Sequence, residues 1–504
     1  MAKKETKENI IERSPVIVVM GHIDHGKSTL LDYIRESNVV AGEAGAITQH
    51  VSAYEVIHKD AKGKDKRITF IDTPGHAAFS AMRARGANIA DIAILIISAE
   101  DGVKPQTMEA YNSIIEAKIP FIVAINKIDK PNANVEKVKN ELIENGIYLE
   151  GYGGDIPYVP ISSKTGEGIP ELLDMMLLIT EMEEYKGDTS LLAEGIILES
   201  KLDAKKGVDT MVIIKNGTLK VGTFMVVNNQ VSPIRRIEDF QGNQIKEAIF
   251  SSPVRIVGCC DVPDAGLFFK TYATKKEAES NLEEKCATVS DNVIVNNAEN
   301  CSEAVNIFIS IKADVFGTIE AIKKEIAKID TDRVIIKVIS EGVGDIVEND
   351  IKTASHNPNT LLVGFNVKIN QAMINLAEQM GVKLASFDII YKLTEWVEES
   401  ILSMIPKIEV EEQTGKAKVL AIFNKDKDEQ IVGGKVKEGK IKLGSQVRIM
   451  RRDFEIGKGV ITNLQSQKVQ TNEVVEGTEF GVGIKAKKDI AIGDYIEAFE
   501  MVTK

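Results

Sequence analysis

The stretch 16–28, VIVVMGHIDHGKS, decides how the first third of the chain folds. Its five leading apolar residues, Val16 to Met20, suit a strand buried on both faces. Gly21, His22, Ile23, Asp24, His25, Gly26, Lys27 and Ser28 then match the phosphate-loop pattern, with Thr29 opening the helix behind it. Glycines let backbone N–H groups approach phosphate oxygens, and the helix N-terminus adds partial positive charge. The pattern predicts that Lys27 meets the β- and γ-phosphates and that the Ser28 hydroxyl ligates Mg²⁺. Alone, this loop specifies a nucleotide without saying which.

Working outward, four more apolar runs follow at the spacing of strand–helix–strand units: ITFI (68–71), IAILII (92–97), FIVAI (121–125) and YVPI (158–161). Three of them end in polar signatures. After ITFI come Asp72, Thr73, Pro74, Gly75 and His76, where an acid at a strand end can reach Mg²⁺ through water and a glycine N–H can face the γ-phosphate. After FIVAI come Asn126, Lys127, Ile128 and Asp129. A carboxylate accepts the paired N1–H and N2–H₂ donors of guanine, a pair that adenine lacks. After YVPI come Ser162, Ser163 and Lys164, whose backbone N–H groups suit the guanine oxygen. Open α/β sheets bind ligands at the carboxyl ends of their strands. Four ordered motifs at such ends predict a GTP site.

Composition bounds the rest. The chain has 504 residues, 43% apolar and 27% charged, which fits several globular domains. No apolar stretch is long enough for a membrane helix, and the charged start MAKKETKENIIERS predicts no signal peptide. Cys259, Cys260, Cys286 and Cys301 lack metal-type spacing; a cytoplasmic protein would keep them reduced. The net charge of −13 disfavours indiscriminate nucleic-acid coating. From Lys407 onward, however, 18 basic residues balance 16 acidic ones, which permits a local RNA-facing surface.

The fold class expected is multidomain α/β plus β. Residues 1–14 form a short charged segment and 15–182 a phosphate-loop nucleotide domain. Turn-punctuated short strands predict a β-barrel over 190–280, and the polar stretch 279–302 a connector. A small α/β domain spans 302–386, a connecting helix 387–406 and a second β-barrel 408–504. Related phrases, NGTLKVG (216–222) and EGKIKLG (438–444), point to duplicated barrels.

GHIDHGKS, DTPGH and NKID resemble the shared motifs of translational GTPases. The segment GEAGAITQH (42–50) is similar to the first switch of bacterial translation initiation factor two. The resemblance to that family continues through MRARGA (82–87), AEDGVKPQT (99–107), IKADVFGTIEAI (311–322), SEGVGDIVENDI (340–351) and GDYIEAFE (493–500). It implies a ribosome-dependent GTPase, cytoplasmic and monomeric off the ribosome. Such a factor promotes initiator-tRNA binding to the small ribosomal subunit and joining of the large one, then leaves after hydrolysis. It implies that Thr48 serves the Mg²⁺ and γ-phosphate and that His76 orients the attacking water with Lys27 beside it. Ile23 and Ile47 would form an apolar gate over His76. Members commonly carry a long N-terminal extension, so the resemblance implies a short form. It also implies an initiator-tRNA site in the last barrel. There the family's two usual cysteines are Gly434 and Phe480 here, its basic-aromatic patch reads Gln465, Ser466, Gln467, and Glu479 and Gly481 are retained. Phe480 is expected either to touch the methionine side chain or to pack in the core. Two other readings stay open: a translational GTPase with different cargo, and a GTP-gated RNA scaffold.

Overall fold

A computed structural model describes residues 10–35, 48–59, 63–203, 205–286, 305–329, 334–404, 409–425, 429–452, 454–466, 469–486 and 488–503. Ile47, Cys301 and Gln467 lie outside these residues. The chain forms two compact units, Met1–Met404 and Ile405–Lys504.

The first unit begins with the nucleotide sheet: β1 (Val16–Gly21), β2 (Ser52–Lys59), β3 (Asp65–Asp72), β4 (Ile92–Ser98), β5 (Phe121–Asn126) and β6 (Tyr158–Pro160). Their order is β2-β3-β1-β4-β5-β6, parallel except where β2 runs antiparallel to β3. Strands β1 and β4 are buried along their whole length, as runs covered on both faces should be. Burying Ile17, Val19, Ile94 and Ile96 completely stabilises the sheet by about 1.5–3 kcal/mol each. Strand β2 was not among the expected runs; it lies at the sheet edge and exposes much of its outer half.

Residues 10–13 of the N-terminal segment are tied down. Ile10–Glu12 pairs antiparallel with Lys186–Asp188, and Arg13 reaches the buried Asp91 at 2.7 Å. Asp91 also accepts from the Val16 N–H at 2.8 Å and from Lys215 Nζ at 3.0 Å. One carboxylate thus joins the N-terminal strand, the nucleotide sheet and the sheet that follows.

That next sheet is antiparallel and eight-stranded, running from Glu194–Asp203 to Phe268–Tyr272. A helix, Lys275–Cys286, follows it. The expected connector therefore starts as helix: among its described side chains only Ala278 is fully buried, and its sequence is mostly polar, so no apolar stripe betrays it. Cys259 is buried and Cys260 exposed, both as free thiols.

A four-stranded parallel sheet completes the unit, in the order Val334–Val343, Val305–Ala313, Thr360–Phe365, Lys383–Phe387. Four helices matter for the site: α1 (Lys27–Arg35) and α2 (Ser80–Ile89) in the nucleotide domain, and α3 (Phe316–Ile326) and α4 (Ile390–Met404) on this sheet. Helix α4 buries Leu393, Val397 and Ile401 and touches two strands of this sheet as well as α3, so the expected connecting helix belongs to this layer. Helix α3 docks on α2. Arg85 pairs with Glu320 at 2.6 Å, and a Cβ at Gly317 would lie 2.4 Å from Met82 Cε.

The second unit is a closed antiparallel barrel, because Glu409–Lys425 pairs both Tyr495–Thr503 and Glu429–Lys442. The repeated phrase keeps left-handed glycines at the same places in both β regions. Gly217 and Gly222 have φ of 80° and 93°, Gly439 and Gly444 of 68° and 85°. Leu219 and Ile441 are fully buried at equivalent places. Only glycine enters this left-handed region without strain, which explains why the phrase keeps its glycines. Among the described residues no helix is long and apolar enough to cross a membrane.

Candidate nucleotide-binding site

Loops leaving the carboxyl ends of β1, β3, β5 and β6 converge on one cavity of about 370 Å³. Ile23, Asp24, Gly26, Lys27, Ser28 and Thr29 line it from the first loop. Thr48, Gly75 and His76 line it from the second and third strands' ends, and Asn126, Lys127, Asp129, Ser163 and Lys164 from the base side. Lys130, which sequence reasoning did not select, lines it too.

The loop is shaped by close approach. A Cβ on Gly21 (φ 148°) would lie 2.4 Å from the Ile96 carbonyl, and one on Gly26 (φ 89°) 2.3 Å from Asn126 Nδ2. Asn126 locks two loops together: its Nδ2 donates to the His25 carbonyl at 2.8 Å, and its Oδ1 accepts from the Ser163 N–H and hydroxyl, both at 2.9 Å. Asp129 Oδ1 accepts from the Ser162 hydroxyl at 2.7 Å, which holds the carboxyl below its ordinary pKa and keeps it ionised at the cavity. An ionised, oriented acceptor there fits the paired donors of guanine.

Lys27 is buried with its ammonium turned into the loop, donating to the carbonyls of Gly21 at 3.0 Å and His22 at 2.7 Å. Burial lowers its pKa to about 8, with Asp72 opposing. A Cβ on Gly75 would lie 2.5 Å from Nζ, so residue 75 must be glycine for the lysine to rest there. Phosphate oxygens are the natural replacement for those two carbonyl acceptors. The Ser28 and Thr48 hydroxyls meet at 2.8 Å, although twelve residues between α1 and Thr48 lie outside the described set. Asp72, also buried, ends the adjoining strand. No cluster of three or more His, Cys, Asp or Glu exists among the described residues. Two hydroxyls and a carboxylate fit Mg²⁺ only as a partial set that substrate phosphates and water complete, the usual habit of that ion.

The side chains of several residues expected at the nucleotide serve the frame. His25 is fully buried with Nδ1 3.4 Å from the Ile96 carbonyl, and burial followed by His22 pushes its pKa down to about 3. It is a neutral packing residue behind the loop, not a side-chain ligand. Thr73 is fully buried and donates to the Val19 carbonyl at 3.0 Å. Ser162 acts on Asp129 rather than on the cavity, and the Ile128 N–H donates to the Ile161 carbonyl at 3.3 Å. The Pro74 and His76 carbonyls both accept from the guanidinium of Arg83, whose other nitrogen pairs with Glu109 at 2.8 Å. His22 does not line the cavity either, and burial lowers its pKa.

His76 is 8% exposed. Its Nδ1 accepts from the Ala78 N–H at 2.8 Å, so the neutral ring carries its proton on Nε2. Burial lowers its pKa. Ile23, the described half of the expected gate, has Cγ1 3.3 Å from where a Gly75 Cβ would sit. Arg83 and Gln106, whose Oε1 accepts from the Ile23 N–H at 3.3 Å, were not selected from sequence. Both sit in phrases that carried the family resemblance, which was the available signal.

In the second unit, Glu479, Phe480 and Gly481 border a cavity of about 550 Å³ with Phe423, Glu429 and Ile431. Phe480 is only 5% exposed and packs in the barrel core, with just its margin at the cavity. The exposed apolar side chains at this cavity are Phe423 and Ile431. Gly434 does not line it; its missing Cβ leaves room for the Lys418 carbonyl and the Phe480 ring, at 2.6 and 3.2 Å.

Comparison with known proteins matches the geometry to a family. Residues 12–182 match the Elongation factor Tu GTP binding domain, 192–271 Elongation factor G domain 2 and 279–398 Translation-initiation factor 2. The chain is 42% identical to Translation initiation factor IF-2 of Halothermothrix orenii, over 98% of this chain and 73% of that one. It is 39% identical to the same factor of Rubrobacter xylanophilus, over 99% and 73%. A crystal structure of GDP-bound aIF5B from Aeropyrum pernix is 28% identical, with a TM-score of 0.49 over 97% of this chain and 92% of that one. With its nucleotide domain matched and two IF-2 relatives, 42% and 39% identical, aligned over nearly all of this chain and 73% of theirs, the chain belongs to the translation initiation factor IF-2 family, and it is a GTP-hydrolysing translation factor.

Proposed function

We propose that this GTPase delivers initiator tRNA to the small ribosomal subunit, promotes joining of the large subunit, and is released when the ribosome triggers hydrolysis. The observation that carries the reading is the convergence of Lys27, Thr48, Gly75, His76 and Asp129 on one cavity within a chain of this family. Asp129 selects guanine, and Lys27 exchanges its two carbonyl partners for phosphate oxygens. Ser28, Thr48 and Asp72 would hold Mg²⁺, which when bound would neutralise charge on the phosphates. His76 orients the attacking water, and catalysis is positioning and charge stabilisation without a covalent intermediate. In the buried position described above, His76 is held for a resting state.

The C-terminal barrel takes the aminoacyl end of initiator tRNA at the cavity beside Glu479 and Gly481, with Phe423 and Ile431 offering the apolar surface. The factor works in the cytoplasm as a monomer between ribosomal encounters. Turnover of GTP with and without ribosomes tests the whole reading. Stimulation by orders of magnitude supports it, whereas unchanged turnover favours a GTP-gated RNA scaffold. Binding of initiator against elongator tRNA distinguishes the cargo.

A further inference from the structure

The start of α4 touches the trailing ends of both nucleotide-sensing segments. Gln49, next to Thr48, donates from Nε2 to the Asp388 carbonyl at 2.9 Å. Three residues further on, the Tyr391 ring stands edge-on to the His76 imidazole, with centroids 4.5 Å apart and planes at 71°. Phe79 flanks the imidazole more loosely, at 6.0 Å. The His76 backbone is pinned as well, by Arg83 at its carbonyl and by the Ala78 N–H at Nδ1. Helix α3 fastens the same turn, with Lys324 Nζ 2.5 Å from the Ser80 hydroxyl. The imidazole is thus buried while Tyr391 keeps half its surface exposed.

We propose that Tyr391 is a positioning residue for GTP hydrolysis: its ring holds His76 against the fold, and the imidazole is released to the water only when the start of α4 withdraws that ring. The inference rests on the reading of His76 as the water-orienting group. An aromatic pair of this geometry biases a side chain's orientation by roughly three- to tenfold, enough to keep the idle factor slow without blocking a strong partner. Because α4 precedes the C-terminal barrel in the chain, the residue that restrains hydrolysis lies on the segment leading to the cargo-binding unit.

The test uses the full chain with GTP and no ribosomes, comparing Tyr391→Phe, Tyr391→Leu and Tyr391→Ala with His76 present or replaced by alanine. Tyr391→Ala and Tyr391→Leu should raise turnover about tenfold, Tyr391→Phe should stay within about twofold of the parent, and His76→Ala should erase the rise. Side-chain titration gives a readout that a merely structural role would not move. The chain has six histidines, so ring-labelled histidine with His76→Ala identifies the resonance. Arg83 faces His76 from α2, Glu325 from α3, Lys328 from the turn just after it, and Glu109 from the helix Pro105–Ala117. These charges stay in place in every variant, so loss of the ring alone should move the midpoint upward in Tyr391→Ala and leave it low in Tyr391→Phe. A rise that survives His76→Ala, or no rise together with an unmoved midpoint, overturns the proposal. Should His76→Ala hydrolyse like the parent on ribosomes, the role of His76 itself fails and the proposal with it, an outcome visible apart from the Tyr391 variants.

Discussion

The nucleotide cavity and the barrel cavity differ in what fixes their walls. Around the first, side chains are held by backbone partners: Asn126 by the His25 carbonyl and Ser163 N–H, Lys27 by two loop carbonyls, His76 by the Ala78 N–H. Around the second, exposed Phe423 and Ile431 form much of the surface, while the ring of Phe480 turns inward. A site that binds a fixed chemical group demands fixed residues, and its signature stays in the sequence. A site on a barrel wall is set by which way alternate residues face, which short motifs do not record.

Phenylalanines test that difference most sharply. Phe480→Ala should lose about 3–5 kcal/mol of barrel stability, whereas Phe423→Ala, 69% exposed, should stay within about 0.5 kcal/mol and weaken tRNA binding instead. Hydrogen exchange over 479–486 in the full chain measures the first, and tRNA titration the second. Equal stability losses would break the contrast. On the nucleotide side, His76→Ala should leave GTP affinity nearly intact and slow ribosome-stimulated single turnovers a hundredfold or more, about 3 kcal/mol of barrier. Asp129→Asn comes next. Exchanging the oriented acceptor for a donor should cost about 1–3 kcal/mol of GTP binding and shift preference toward xanthosine triphosphate in competition.

These variants also show what sequence could and could not convey. The phosphate-loop and DTPGH motifs were legible because Gly21, Gly26 and Gly75 sit where a Cβ would crowd Ile96, Asn126 and Lys27, and the two base-side motifs because Asn126 and Asp129 need their particular polar groups. The inward turn of His25 and Thr73 was not, since a motif lists residues without separating ligand from frame. Helix Lys275–Cys286 was missed because its polar residues give no period, and β2 because it is an edge strand with a mixed face. Phe480 had two readings, and its burial in the barrel core beside Gly434 of the neighbouring strand, which no motif records, favours packing.

The smallest effect expected concerns a buried carboxyl where the first barrel meets α3. Glu199 accepts from the Gly317 N–H at 3.3 Å, and burial, opposed by that bond, raises its pKa to about 7. In the second unit Asp494 has the opposite fate: Arg451, at 2.8 Å, holds its carboxyl below the ordinary range. A raised carboxyl contributes stability below its unfolded pKa that is lost as pH rises through the folded value. Glu199→Gln should therefore be the more stable form at pH 8, on the order of 1 kcal/mol, with the gap closing toward pH 5. Thermal unfolding at the two values checks the sign, and a gap that widened on acidification would contradict it.

The buried Asp91 has a consequence for the order of events during synthesis. Its partners Arg13 and Lys215 lie 78 and 124 residues away on either side, so they leave the ribosome at very different times. When the nucleotide sheet first closes, Arg13 and the Val16 N–H are already present to receive the carboxylate, while Lys215 is still unmade. The half-built chain therefore carries a neutral Arg–Asp pair at the seam where the next domain will dock. Lys215 completes the cluster only once the following barrel has emerged. The spacing of its partners thus lets Arg13 reach Asp91 before Lys215 can.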